Sequence, residues 1–304
     1  MYLNKFNKYQ NKLLNLHTTQ VGGINPVIGY HHNQGGRPYQ EDRIDVLSGK
    51  IEELDYVILS IFDGHGGADT SDYLSKNLPA RCKVGLDALK QPLTYSMIEN
   101  VINTEFAKID LEVTPEMRQQ FTGSTAVICI VFENNIFVAN IADSPAIVFD
   151  RAGNKKNQTN IHDCNNQSEI IRINTDGRRP LCEQNIYGAP RLNLGYLPSG
   201  NIDRGLDMTR AFGDNAYKPK ADAKPELYVW ARNAGDILCI CSDSFFDMKL
   251  DRSAYKQNED DIINEVLPVL ITNNFDPQVS VTQIVEKRAT TIRGDNTSMI
   301  LAIL

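Results

Sequence analysis

Nothing in this 304-residue chain marks it for a membrane or for nucleic acid. No apolar stretch approaches the roughly 20 residues that a membrane-spanning helix needs. Lys and Arg form no dense run and the formal net charge is -7, so the basic footprint of a nucleic-acid binder is missing. Arg178-Arg179 is a short pair of the kind that solvent covers. There is no internal repeat and no low-complexity linker. None of the six cysteines, Cys82, Cys129, Cys164, Cys182, Cys239 and Cys241, belongs to a C-x-x-C pair. Cys129, Cys239 and Cys241 lie in apolar strand-like runs, where cysteine behaves as a small hydrophobe. Cys239 and Cys241 are two apart and so share one face of a strand. Met1-Tyr-Leu-Asn-Lys carries no signal-peptide pattern. A reduced intracellular setting, cytoplasmic or nuclear and not secreted, is expected rather than a disulfide framework.

What is present is an ordinary globular composition, 41% hydrophobic and 23% charged. Residues 1–22 are polar and read as an N-terminal extension, with one domain over 23–304. From Ile24 the pattern is strand-like. Ile44-Asp-Val-Leu47 and Tyr56 to Phe62 read as strands on either side of the turn-like Ser48-Gly49-Lys50. Residues 68–90 have helical spacing at Tyr73, Leu74 and Leu78, and Ile98, Val101, Ile102, Phe106 and Ile109 form a core-facing helical stripe. Thr125 to Phe132 and Ile136 to Ile141 predict a hairpin around Glu133-Asn134-Asn135. Residues 150–204 lose periodicity and are rich in Asn, Asp, Gly and Pro, as functional or mobile segments are. Strand character returns over 226–242. Ile262, Ile263, Val266, Leu267 and Leu270 predict a helix bent at Pro268; Val281, Ile284 and Val285 predict another before the last apolar run. The order of strands, helices, strands, helices and strand favours an α+β fold with helices on antiparallel sheets.

Aspartates recur at the ends of the apolar runs. Tyr56 to Phe62 stops on Asp63, Asn135 to Ala142 on Asp143, and Asp236 to Ser242 on Asp243, whereas Asp295 precedes the run Met299 to Leu304. In an antiparallel sheet one strand's end lies beside its neighbour's start, so these four carboxylates can gather at one rim. Clustered carboxylates repel unless protons or cations neutralise them. Oxygen-only ligands favour hard cations such as Mg2+ or Mn2+. Arg37-Pro-Tyr-Gln-Glu-Asp42 adds a guanidinium suited to phosphate and two adjacent acids, Glu41 and Asp42, that point to opposite sides of an extended backbone.

With Phe62-Asp-Gly-His-Gly-Gly67, Gly123-Ser-Thr-Ala126, Ala139-Asn-Ile-Ala-Asp-Ser144, Met208-Thr-Arg-Ala-Phe-Gly-Asp214, Ser242-Asp-Ser-Phe-Phe-Asp247 and Asp295-Asn-Thr-Ser298, the chain resembles the metal-dependent protein phosphatases, the PPM or PP2C-type serine/threonine phosphatases. These pieces occur in family order and cover about Ile24 to Leu304. The resemblance implies an αββα sandwich of two antiparallel sheets flanked by helices, with two Mg2+ or Mn2+ ions where the sheets meet and a weaker third. It implies that Asp63 bridges both principal ions, that the Gly64 carbonyl, Glu41 and Asp42 complete their coordination, and that Asp243 and Asp295 bind the other ion. Asp143 and Asp247 match the positions tied to the third. Arg37 matches the phosphate-binding arginine and His65 the general acid. The implied reaction is attack of a metal-bridging hydroxide on the phosphorus of phosphoserine or phosphothreonine in a protein, by a monomer. Residues 150–204 correspond to the family's variable flap.

Three positions depart from the family pattern. Ala142 stands where Gly is usual, Pro145 where Arg is usual, and Ser244 where Gly is usual. If those backbones need positive φ, Ala and Ser bring strain. These changes leave open a second class, a pseudophosphatase that binds without turnover. A metal nuclease is disfavoured by the acidic charge.

Overall fold

The structure, a computed structural model, describes residues 26–116, 121–184, 190–197, 199–245, 259–291 and 295–304. The expected N-terminal extension lies outside the described residues. In chain order the elements begin with β1 (Val27–Asn33), β2 (Arg43–Ile51), β3 (Leu54–Phe62) and the two-residue β4 (Gly64–His65). Helices α1 (Asp69–Asp87) and α2 (Tyr95–Glu116) follow, then β5 (Gly123–Ser124), β6 (Ala126–Val131), β7 (Asn135–Ile141), β8 (Ala146–Phe149) and β9 (Lys155–Gln158). Next come α3 (Gln167–Asn174), β10 (Leu181–Gln184), β11 (Pro190–Asn193), β12 (Phe212–Gly213), β13 (Glu226–Ala231) and β14 (Ile237–Cys241). The last elements are α4 (Glu259–Thr272), α5 (Pro277–Thr291) and β15 (Thr297–Ile303).

Two five-stranded sheets form the centre, one in the order β13-β7-β6-β3-β2 and the other β1-β15-β14-β8-β9. All pairings within them are antiparallel. The second sheet shows why it must lie between two apolar layers. Along β14, Leu238 and Ile240 join the core shared with the first sheet and with α1 and α2. Ile237, Cys239 and Cys241 join a separate core with Ile262, Val266, Val281 and Val285 of α4 and α5. Ile300 and Ala302 of β15 repeat the first side, and Met299 and Leu301 the second. The alternation follows from the two-residue period of a strand. The shared face of Cys239 and Cys241 is thus the helix-facing one. The layers are helix, sheet, sheet, helix, as expected.

Of the predicted stripes Leu74, Leu78, Ile98, Ile102, Phe106 and Ile109 are buried, whereas Tyr73 and Val101 are half-buried at the edge of the core. The first turn falls elsewhere than the sequence suggests. Ser48-Gly49-Lys50 lies inside β2, and the reversal is made by Glu52-Glu53, with Glu52 at φ 56. Gly49 pairs with Tyr56, and a Cβ there would stand 2.3 Å from the Tyr56 ring. This glycine makes room for an aromatic ring rather than for a bend.

Residues 150–204 are not featureless. They hold β9, α3 and the β10–β11 hairpin. Asn166 caps α3 by accepting from Ser168 N–H at 3.0 Å. Glu169 of α3, 2% exposed, accepts from Arg172, Thr209 and Arg210. These charge-assisted bonds hold its carboxyl well below the usual range despite its burial. Cys164 and Cys182 form a disulfide, with Cα atoms 5.3 Å apart across 18 residues of sequence. The reduced setting read from cysteine spacing does not extend to this pair, because α3 and the turn after it bring back together residues that are distant in sequence. The other four cysteines are free and buried.

Candidate active site

The strand-end acids do meet, but at the ends of two sheets rather than along one rim. Asp63 follows β3 and Asp143 follows β7. Both strands are antiparallel to the intervening β6, so they run the same way and finish at the same end. Asp243 follows β14 and Asp295 precedes β15, which are antiparallel neighbours. The sheets face one another, so all four carboxylates share one end of the sandwich.

Asp63 is fixed by Thr125 from the Gly-Ser-Thr-Ala stretch. Its N–H donates to Thr125 Oγ1 at 3.0 Å, and its carbonyl accepts from Thr125 N–H at 2.9 Å. Asp63 Oδ2 lies 3.4 Å from the Asp243 N–H. Burial, together with the Asp42, Asp243, Asp143 and Asp295 carboxylates, pushes the Asp63 carboxyl well above the usual range. Asp42 is fully buried and accepts from Ser298 Oγ at 2.6 Å. Burial pushes it up to about 6. Asp143 is pushed up to about 7, by burial first and then by Asp207 and Asp163.

Glu41 and Asp42 point apart, as their adjacency predicts. Glu41 Oε1 accepts from Gly67 N–H at 2.6 Å, whereas Asp42 turns to Ser298. The Glu41 N–H is held by Asn296 Oδ1 at 2.8 Å, which ties the Arg37–Asp42 segment to the approach to β15. Arg37, about half exposed, pairs with Asp295 at 2.9 Å and approaches Glu41 at 3.8 Å. Fully buried Arg288 of α5 donates to the Phe245 carbonyl at 2.6 Å and the Ser244 carbonyl at 3.2 Å, steadying the turn that carries Asp243.

Gly64 and His65 make up β4, which pairs with β5. His65 Nε2 donates to Asp214 Oδ2 at 2.6 Å. Burial opposes an imidazolium here, but the Asp214 carboxylate outweighs it and His65 titrates above its ordinary value. Gly123 must be glycine: a Cβ there would lie 2.1 Å from Asp214 Oδ2 and 2.5 Å from His65 Nε2. Asp214 is a site residue that the sequence reading did not single out. It ends Met208 to Asp214, a stretch to which the family resemblance attaches no chemical role. Its left-handed backbone, φ 48, aims the carboxylate at His65.

Asp247 lies outside the described residues. Among the described residues, no three His, Cys, Asp or Glu side chains form a ready-made metal cage. Even so, the donors present suit a hard divalent cation. They are all oxygens, they are mutually crowded, and Asp42 Oδ1 and Asp143 Oδ1 are buried without hydrogen-bond partners. A cation gives such atoms the partner they lack.

Of the three departures, Ala142 has φ 76, so this position does require the glycine-like conformation. Its backbone is braced by buried His162, whose Nδ1 accepts from Ala142 N–H at 3.1 Å. Ser244 lies in the 3-10 turn Asp243–Phe245 and is not among the residues with positive φ, so its Cβ brings no such strain. Pro145 accepts from Cys241 N–H at 3.2 Å through its carbonyl.

A family model described as Protein phosphatase 2C matches residues 29–268. Probable protein phosphatase 2C 55 of Oryza sativa subsp. japonica is 28% identical over 233 residues, covering 74% of this chain and 55% of that protein. Probable protein phosphatase 2C 76 of Arabidopsis thaliana is 27% identical over 238 residues, covering 77% of this chain and 52% of that one. The chain thus spans about half the length of the curated relatives it matches. The crystal structure of serine-threonine phosphatase 2C from Toxoplasma gondii covers 93% of this chain and 96% of its own, with a TM-score of 0.71 and 16% identity. At that identity the likeness speaks for the fold alone. By the extent of the family match, this chain belongs to the protein phosphatase 2C family.

Proposed function

We propose that this chain hydrolyses phosphoserine and phosphothreonine esters in proteins, as a monomer, with two Mg2+ or Mn2+ ions and a weaker third. The observation that carries this reading is the gathering of Asp42, Asp63, Asp243 and Asp295, whose charges bear on one another, with Arg37 bonded to Asp295. The protein phosphatase 2C family is metal-dependent. In this reading Glu41, Asp42, Asp63, the Gly64 carbonyl, Asp243 and Asp295 hold the principal ions, and Asp143 and Asp247 the weaker one. When bound, divalent cations neutralise phosphoryl oxygens and acidify water.

The chain's own residues supply the rest. Arg37 offers a planar pair of donors to the phosphate in exchange for Asp295. A serine or threonine alkoxide leaves poorly and needs a proton. The Nε2 of His65 is committed to Asp214, whereas Nδ1 is buried without a partner. As an imidazolium, His65 therefore holds its transferable proton at Nδ1, and Asp214 favours that charged form.

The test is phosphate release from a phosphothreonine peptide in Mn2+, compared with excess EDTA. Release with Mn2+ and none in EDTA is expected. Undiminished release in EDTA would sink this reading. A folded protein that binds the peptide in Mn2+ yet releases no phosphate would instead be a pseudophosphatase.

A further inference from the structure

A cavity of 480 Å3 adjoins the His65–Asp214 pair, and Asp214 belongs to both. Its walls are largely apolar, from Phe121, Leu197, Ile202, Leu206 and Tyr217. Ile202 is 53% exposed and Phe121 38% exposed, so the cavity presents large apolar side chains to solvent. Deeper down it is acidic. Asp203 and Asp214 both line it and are 4% and 1% exposed.

The two carboxylates differ in what they lack. Asp203 is saturated: it accepts from Tyr217 Oη at 2.8 and 2.9 Å, from Leu194 N–H at 2.9 Å and from Gly205 N–H at 3.0 Å. Asp214 gives Oδ2 to His65, but its Oδ1 is buried with no hydrogen-bond partner. A buried carboxylate oxygen without a donor is costly, so this cavity is complementary to a donor, best a charged one. The cation in the lining, Arg204, is exposed, and water screens its charge more than that of the two buried carboxylates.

We propose that this cavity is a subsite for a lysine or arginine side chain of the phosphoprotein substrate, close in sequence to the phosphorylated residue. Such a side chain has both properties the cavity asks for. Its methylene stem packs against Phe121, Ile202 and Tyr217, and its cationic head reaches Asp214 Oδ1. The volume admits a long side chain together with water. Because Asp214 also orients His65, an occupied subsite places the peptide beside the proton donor. The inference rests on the phosphatase reading and adds a substrate preference to it.

The experiment uses the wild-type chain with Mn2+ and a set of phosphothreonine peptides in an alanine background. A single lysine is moved through the three positions on either side of the phosphothreonine. One position should raise kcat/KM about tenfold over the all-alanine peptide, the scale of one hydrogen bond to a charged group. Arginine there should act likewise and glutamate should lower kcat/KM. Ile202→Lys, which sets a competing ammonium at the cavity, should bring the ratio of lysine to alanine peptide near one. The wild-type panel decides the matter even if that variant does not fold. A flat panel from an enzyme that hydrolyses para-nitrophenyl phosphate overturns the subsite alone. An equal gain from leucine overturns its cationic character. No hydrolysis of para-nitrophenyl phosphate or of any peptide overturns the phosphatase reading and the subsite together.

Discussion

His162 holds both sides of Ala142: its ring Nδ1 accepts the Ala142 N–H at 3.1 Å, and its backbone N–H donates to the Ala142 carbonyl at 3.0 Å. The accepting Nδ1 fixes the tautomer, so Nε2 carries the hydrogen it donates to Glu226 at 3.0 Å. The residue after Ala142 is Asp143, so this clamp sets where that carboxylate starts.

His162→Ala should leave a buried N–H without an acceptor and destabilise the fold by about 2–4 kcal/mol in urea melts. His162→Asn, whose amide oxygen falls near the Nδ1 position, should recover part of that loss. Ala142→Gly should stabilise by about 0.5–1 kcal/mol, since φ 76 suits glycine. Equal losses in the two His162 variants would mean that Nδ1 is not what matters.

Asp63→Asn should separate stability from turnover. It relieves the crowding of carboxylates around Asp63, so in EDTA the variant should be more stable than wild type. Phosphate release should fall to background in Mn2+. A variant less stable than wild type in EDTA would argue against carboxylate repulsion at this site.

His65→Gln should slow a phosphoserine peptide by roughly 100-fold, in the range of general acid catalysis. It should slow para-nitrophenyl phosphate much less, because that leaving group needs little protonation. Asp214→Asn should show the same selectivity with a smaller loss, since it weakens the charged form of His65 without removing the ring. Uniform slowing of both substrates would leave His65 a positioning residue.

Arg37→Ala should raise KM for phosphopeptides and weaken inhibition by inorganic phosphate. Mn2+ affinity, read by calorimetry, should change little. Unaltered phosphate inhibition would mark Arg37 as only the partner of Asp295.

Stability should fall with rising pH when cations are removed. Asp42 and Asp143 titrate at about 6 and about 7 in the fold, against an ordinary 3.8. The folded state then holds more protons than the unfolded one between about pH 4 and pH 7, so its stability drops through that window. His65, raised above its ordinary value, adds to the fall. Tm in EDTA should therefore decrease from about pH 5 to pH 8, and saturating Mn2+ should flatten the slope. A Tm in EDTA that rises over this range would contradict the assigned shifts.

Much of this was legible because it depends on short-range pattern. An apolar run ending on Asp63 or Asp243 is a strand that stops at polar solvent or a polar site, and period-two burial of Cys239 and Cys241 follows from strand geometry alone. The two-sheet placement of the acids was not legible in the residue pattern, which suggested one rim, because which strands pair is a long-range choice that no window of sequence contains; it came only with the family resemblance. Asp214 was overlooked for the same reason: its partner His65 lies 149 residues away. The Cys164–Cys182 bridge and the elements within 150–204 were hidden by short segments, whose four-residue strands and single eight-residue helix offer too few turns or repeats to read. The departure at Ala142 was legible as a position, and the structure supplies its brace, His162.

Strand β15 sits between β1 and β14 in its sheet, and Asp295 and Asn296 immediately precede it. During synthesis β1 emerges more than two hundred residues before the strand it must pair with, Val27 aligning with Ile303. The first sheet can assemble before Thr297–Ile303 is made, but the second waits with an unfilled gap between β1 and β14. The chain therefore cannot gather its complete set of acids before Asp295 and the strand that follows it have been made and paired.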